Sequence, residues 1–176
     1  MKDDGFVPDA VITVRGASFG AGFAEHGVSR LVLPPLADMS QGRERGPIVR
    51  IVDREKPGVD ERAGDLARFL EEYLAGGETG SVPAVDLGAA GPFTRSVLEE
   101  VRRIPRGSTA SYGRVALAVG RPGAARAVGG AVSRNPVPLL VPCHRVVRSD
   151  GSGGGWSGAE GWKEWLLDME GEAAWR

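Results

Sequence analysis

A single cysteine in 176 residues rules out an intramolecular disulfide and any zinc centre built from several thiolates. Long apolar runs are missing too. Stretches such as Leu139-Leu140-Val141 fall far short of the ~18 residues that a membrane span requires. The amino terminus, Met1-Lys2-Asp3-Asp4, lacks the basic and apolar regions of a secretory signal. These absences predict a soluble, intracellular (cytoplasmic) protein with no membrane partner. Extended helices are disfavoured as well, because 27 glycines and 12 prolines punctuate the chain. The remaining composition, 41% hydrophobic and 26% charged, suits one or two globular domains that bury a core.

The most informative absence is local. The net charge of −1 hides a division: residues 1–90 carry 10 basic and 15 acidic side chains, whereas residues 91–176 carry 12 and 8. Between Arg102 and Arg148 stand nine arginines, no lysine and not one Asp or Glu. A charge run is ordinarily a solvated face. A window of this length without an acid also fits a polyanionic partner, since guanidinium groups grip phosphate bidentately.

The pattern predicts an α+β chain of two domains, 1–86 and 91–176, joined through the Gly- and Pro-rich stretch 76–91. In the first, Val11–Val14, Ser29–Leu33 and Ile48–Val52 read as strands. Asp60 can cap a helix whose apolar stripe is Ala63, Leu66, Ala67, Leu70, Tyr73 and Leu74. The second domain reads as mostly helical. Pro92 suits a first helical position, and Phe93, Val97 and Val101 recur at four-residue spacing. Ser111 caps a short helix that stops near Gly120, and a second runs from Gly123 to Val132. Two short helices broken at Val119–Pro122 look like a helix-turn-helix, although the pattern alone favours an ordinary helical hairpin. Leu139–Val141 reads as a short buried strand leading into Pro142-Cys143-His144. A Gly-rich loop, 151–158, precedes a last helix with the stripe Trp162, Trp165, Leu166 and Met169.

A lone cysteine is commonly a small buried hydrophobe. The surroundings of Cys143 suggest more. It follows a β-branched residue and a proline, where a side chain is presented, and Arg145 and Arg148 bring positive potential that favours a thiolate. His144, its immediate neighbour, would reach the sulfur through a water, with a third group orienting the imidazole. The run Gly123–Ala131 has small residues on nearly every face and a single long cation, Arg126. It suits close helix packing, and equally a helix pressed into a nucleic-acid groove with one inserted side chain.

Pro142-Cys143-His144-Arg145-Val146 resembles the active-site motif of the O6-alkylguanine-DNA alkyltransferases. Four further segments resemble that family in the same order: Ile104–Gly113, Arg126–Ala131, Asn135-Pro136, and Trp156-Ser157-Gly158 with Lys163–Leu167. The resemblance covers roughly residues 82–171. It implies a ribonuclease-H-like α+β first domain and a second domain with a helix-turn-helix, winged-helix-like element. It also implies direct-reversal DNA repair, in which an alkylated base is flipped from the duplex and its alkyl group moves irreversibly to a cysteine.

Carried onto this chain, the resemblance makes Cys143 the nucleophile and His144 the base acting through water. Glu170 would hold the histidine tautomer, and Asn135 would pin the adjoining turn. Tyr112, Val146, Trp156, Ser157 and Gly158 would form the substrate pocket, with the Cys143 and Val146 carbonyls accepting from the guanine amine. Arg126 would replace the flipped base in the stack, and Ser111, Ala125, Ala127, Gly129, Arg121 and Arg134 would contact DNA. The recognition helix would enter the minor groove, whose degenerate pattern suits damage in any sequence. The implied partner is double-stranded DNA carrying O6-alkylguanine, with O4-alkylthymine an open second lesion; a monomer without metal or cofactor is expected. Two rivals stand beside this reading. One is a multi-turnover cysteine hydrolase, which needs an oxyanion hole and water access. The other is a damage-binding module, whose members in this family lack the cysteine.

Overall fold

The computed structural model describes residues 5–40, 47–53, 55–77, 79–153 and 160–171. The chain divides into two compact units, Met1–Asp86 and Leu87–Arg176. Among the described residues no helix is long and apolar enough to cross a membrane.

The first unit is a four-stranded antiparallel sheet with one helix on it. The strands are β1 (Ala10–Val14), β2 (Ala17–Ala24), β3 (Gly27–Val32) and β4 (Ile48–Ile51), in the order β3-β2-β1-β4. Alternate residues of β1 and β2 (Ala10, Ile12, Val14, Ala17, Phe19, Ala21 and Phe23) are buried, as the two-residue period of a half-covered sheet requires. Helix α1 (Val59–Leu74) packs on β1 and β4. All six residues of its expected stripe are buried, with Val59 and Phe69 added.

One expectation needs correction here, and one strand went unread. Asp60 does not cap α1. The cap position is Gly58, left-handed at φ 69°, and Asp60 lies in the first turn, where a carboxylate still meets the positive end of the helix dipole. Strand β2 escapes a propensity reading because Gly20 and Gly22 dilute it. A Cβ at Gly22 would stand 3.1 Å from the Phe6 ring, which would have to shift by a few tenths of an ångström to admit it. That ring in turn lies 4.4 Å under the Arg30 guanidinium.

At Gly27, φ is +146° and a Cβ would run into the Ala84 carbonyl. That same carbonyl accepts from the Val28 amide at 2.9 Å, tying residues 84–86 along β3. Gly27→Ala is therefore expected to cost about 2–3 kcal/mol, from backbone strain plus a displaced pairing. A thermal melt of the full chain checks this, and an unchanged midpoint would mean that the 84–86 segment yields freely.

The second unit holds α2 (Pro92–Arg102), α3 (Tyr112–Ala118), α4 (Ala125–Val132) and α5 (Trp162–Glu170). Helices α2, α3 and α4 pack on one another through Val97, Leu98, Val101, Val115, Ala116, Val128, Ala131 and Val132, all buried. Pro92 opens α2 and the Ser111 hydroxyl caps α3, accepting from the Arg114 amide at 3.2 Å. Phe93 is only half-buried, and α4 begins at Ala125, two residues after the left-handed Gly123.

Leu139–Val141 is not a strand. Leu139 is left-handed at φ 72°, and the Val141 amide donates to the Val137 carbonyl at 3.0 Å. Pro136 and Pro138 deny this segment the donors of a ladder, so it closes as a turn. In the last helix the buried residues are Trp162, Lys163, Leu166 and Leu167, while Trp165 and Met169 are half-buried. A two-stranded parallel ladder pairs β5 (Ala110–Ser111) with β6 (Val146–Val147).

Candidate active site

The turn 135–141 sets the site's floor. Asn135 holds it from both ends of its amide, Nδ2 donating to the Val141 carbonyl at 2.8 Å and Oδ1 accepting from the Val137 amide at 3.1 Å. The chain then enters a one-turn 3-10 helix, Cys143–Arg145, all three residues of which are buried. The expectation that Cys143 is presented rather than packed fails: the residue is 3% exposed.

His144 is fully buried, and its Nε2 lies 3.1 Å from Glu170 Oε1 on α5. The Glu170 side chain is itself 1% exposed. Burial pushes the His144 pKa below its ordinary value, against the opposing pull of the Glu170 hydrogen bond and charge. With Nε2–H donating to a carboxylate, Nδ1 keeps the ring's lone pair and can act as base.

Arg145 is held by Glu170. Its Nε donates to Glu170 Oε2 at 2.8 Å and its Nη2 to Glu170 Oε1 at 2.7 Å, so the guanidinium spans both carboxylate oxygens. Its Nη1 donates to the Ile104 carbonyl at 2.7 Å. The cation is spent on the carboxylate, which a bidentate fork fits better than any other acceptor.

Lys163, buried on α5, was not foreseen as part of the site. Its ammonium donates to the Val146 carbonyl at 2.7 Å and to the Gly153 carbonyl. Desolvation lowers its pKa to about 8, with Cys143 pulling in the opposite direction. A signal was present: Lys163, Leu167 and Glu170 fall at i, i+4 and i+7, which places a cation and an acid on the apolar face of a helix. The two carbonyls expected to receive the guanine amine are each already engaged. That of Cys143 accepts from the Val146 amide, and that of Val146 accepts from Lys163. Each keeps a second lone pair.

Tyr112 is half-buried, and a Cβ on Gly129 of α4 would stand 3.8 Å from its ring. Burial, reinforced by Cys143, raises its pKa, so the phenol stays protonated and can donate. Arg121, Arg126, Ala127 and Arg134 are exposed, and Ser111, Ala125 and Gly129 are half-buried. Of the nine arginines between 102 and 148, Arg145 is buried, Arg106 is half-buried and the others are exposed. Val146 is buried. Trp156, Ser157 and Gly158 lie outside the described residues. A groove of about 550 Å³ between the end of α2, residues 103–110 and α3 stands apart from the thiol, for neither Cys143 nor His144 lines it. Among the described residues no three His, Cys, Asp or Glu side chains are grouped to hold a metal ion.

The second unit thus buries Cys143 and His144 side by side, sets Glu170 3.1 Å from the imidazole, and carries the small-residue helix α4. The family model "6-O-methylguanine DNA methyltransferase, DNA binding domain" matches residues 92–172, and across this unit the chain is similar to that family. It is 51% identical over 107 residues to the methylated-DNA–protein-cysteine methyltransferase of Methanothermobacter thermautotrophicus, covering 60% of each chain. The mouse protein of that name is 46% identical over 121 residues, covering 65% of this chain and 57% of its own. The match thus spans about 60% of the length of these curated relatives. A crystal structure of Mycobacterium tuberculosis OGT in complex with DNA is similar across both units, with a TM-score of 0.69, 27% identity and coverage of 91% of this chain and 90% of that one.

Proposed function

We propose that the protein repairs O6-alkylguanine in double-stranded DNA by moving the alkyl group to Cys143, once per molecule. The observation that carries this reading is a buried thiol followed directly by a buried imidazole whose far nitrogen is held at 3.1 Å by a buried carboxylate. In the step, a sulfur–carbon bond forms as the carbon–O6 bond breaks. The thiol proton passes through water to His144 and ends on the departing guanine, which leaves neutral. An alkyl ether is a poor electrophile, so both the thiolate and a donor to the leaving oxygen are required. Tyr112, protonated and near the sulfur, together with the segment holding Trp156, Ser157 and Gly158, would frame the base.

The finer fold reading follows the same family. We read α3–turn–α4 as a helix-turn-helix with winged-helix character, and the first unit as ribonuclease-H-like. Supporting the first are the Ser111 cap and the left-handed Gly120 and Gly123 in the turn. On α4 the exposed Arg126 stands among Ala125, Ala127 and Gly129, which suits insertion from the minor groove while Arg121 and Arg134 approach phosphates. The protein would work as a monomer, in the compartment that holds DNA.

Intact mass after incubation with duplex DNA carrying O6-methylguanine tests the assignment. A gain of one methyl group mapped to Cys143 is expected, and no adduct would overturn it. Arg126→Ala separates stacking from chemistry. It should impair repair of the duplex at least tenfold while leaving reaction with free O6-benzylguanine nearly unchanged, because the free base needs no flipping. Equal losses in the two assays would place Arg126 in the pocket instead.

A further inference from the structure

Glu170 is one buried carboxylate with two cationic or potentially cationic neighbours. Its Oε1 accepts from Arg145 Nη2 at 2.7 Å and faces His144 Nε2 at 3.1 Å; its Oε2 accepts from Arg145 Nε at 2.8 Å. A carboxylate this deeply buried demands about one positive charge, and no more, to offset its desolvation. We propose that Arg145 is a positioning residue that takes that place permanently, so that His144 beside it stays neutral and free to accept the proton of Cys143. This rests on the alkyl-transfer reading above.

The alternative partition is easily stated. Without Arg145, the burial cost of Glu170 would be met by a proton on His144, giving an imidazolium–carboxylate pair. That pair is stable but useless as a base. The groups facing His144 bear this out. From α5 come Glu170 and Lys163, and from its own turn Cys143 and Arg145. Helix α2, also packed against the turn, buries Val97, Leu98 and Val101. Lys163 gives its protons to two backbone carbonyls, so Arg145 is the cation whose bonds to the carboxylate are seen. Its third bond, from Nη1 to the Ile104 carbonyl, fixes the fork's orientation from outside the cluster. Burial and the Arg145 charge both act to lower the imidazole pKa, in agreement with the geometry.

The chain has only two histidines, His26 and His144, which makes the test direct. Ring resonances of both are followed by NMR against pH in the full chain, for the parent protein, Arg145→Gln and Arg145→Lys. In the parent, His144 should titrate below an ordinary histidine. In Arg145→Gln its midpoint should move up, and in Arg145→Lys it should lie between the two. The melting temperature of each variant, measured alongside, reports whether the fold is intact. Transfer from free O6-benzylguanine is measured in parallel. Arg145→Gln should lose at least tenfold near neutral pH and recover toward the parent rate as pH rises past the new midpoint.

A purely structural role would instead lower the rate by the same factor at every pH. That outcome, or a His144 midpoint unmoved in Arg145→Gln because Glu170 takes the proton itself, overturns the inference. If the parent protein fails to label Cys143, the alkyl-transfer reading falls and the inference falls with it. A labelled parent with an unmoved midpoint removes the inference alone.

Discussion

Glu170→Gln is expected to slow alkyl transfer by roughly 10²–10⁴-fold, the range associated with positioned acid–base groups. The amide cannot favour the Nε2–H tautomer of His144 as a carboxylate does, and its own donors face the Arg145 fork. The same change should lower the melting temperature markedly. Removing one partner of a buried ion pair leaves the other charge uncompensated, at about 3–5 kcal/mol. Here the Arg145 and Glu170 side chains are 10% and 1% exposed. Duplex affinity, read by fluorescence anisotropy, should hardly change, since the carboxylate is turned inward. Rates are compared at a temperature where the variant is folded. An unchanged rate in folded protein would detach Glu170 from the relay.

Titrating the protein with excess O6-methylguanine duplex should give product up to one equivalent and then nothing more. A thioether has neither an electrophilic carbonyl nor a good leaving group, so water cannot restore Cys143. Continued turnover would favour the hydrolase. The burial of Cys143 adds a second expectation. At 3% exposure, and flanked by a turn that Asn135 clamps, the sulfur has little room for another carbon. Overpacking of this kind costs about 1–3 kcal/mol. The alkylated protein should therefore melt at a lower temperature than the free form.

Much of the architecture was legible where local chemistry and packing agree. The stripe of α1, the Pro92 start of α2 and the Ser111 cap each follow from one residue type at one position. Strand β2 was not legible, because its glycines Gly20 and Gly22 answer to the Phe6 ring, which lies on a separate segment of the chain. Leu139–Val141 looks like a strand by composition. Its left-handed Leu139 and the Asn135 clamp come from the folded turn, not from propensity. In the candidate site, Cys143 and His144 stood out through motif and neighbourhood. What they touch did not. That Arg145 grips Glu170 depends on α5 returning to the turn, a contact across 25 residues that no local pattern encodes.

The two-residue ladder between β5 and β6 has a consequence for how this protein can change. It joins Ser111, the residue before Tyr112, to Val147, four residues after Cys143, through main-chain pairing. The spacing from the nucleophile to the start of α3 is thus gauged by backbone, without any side chain taking part. Substitutions on either side of that rung can reshape the pocket or retune the grip on DNA without re-registering the sulfur. Variation in substrate range should therefore be inexpensive for this scaffold, while a slip of one residue at Ala110–Ser111 would disable every lesion at once.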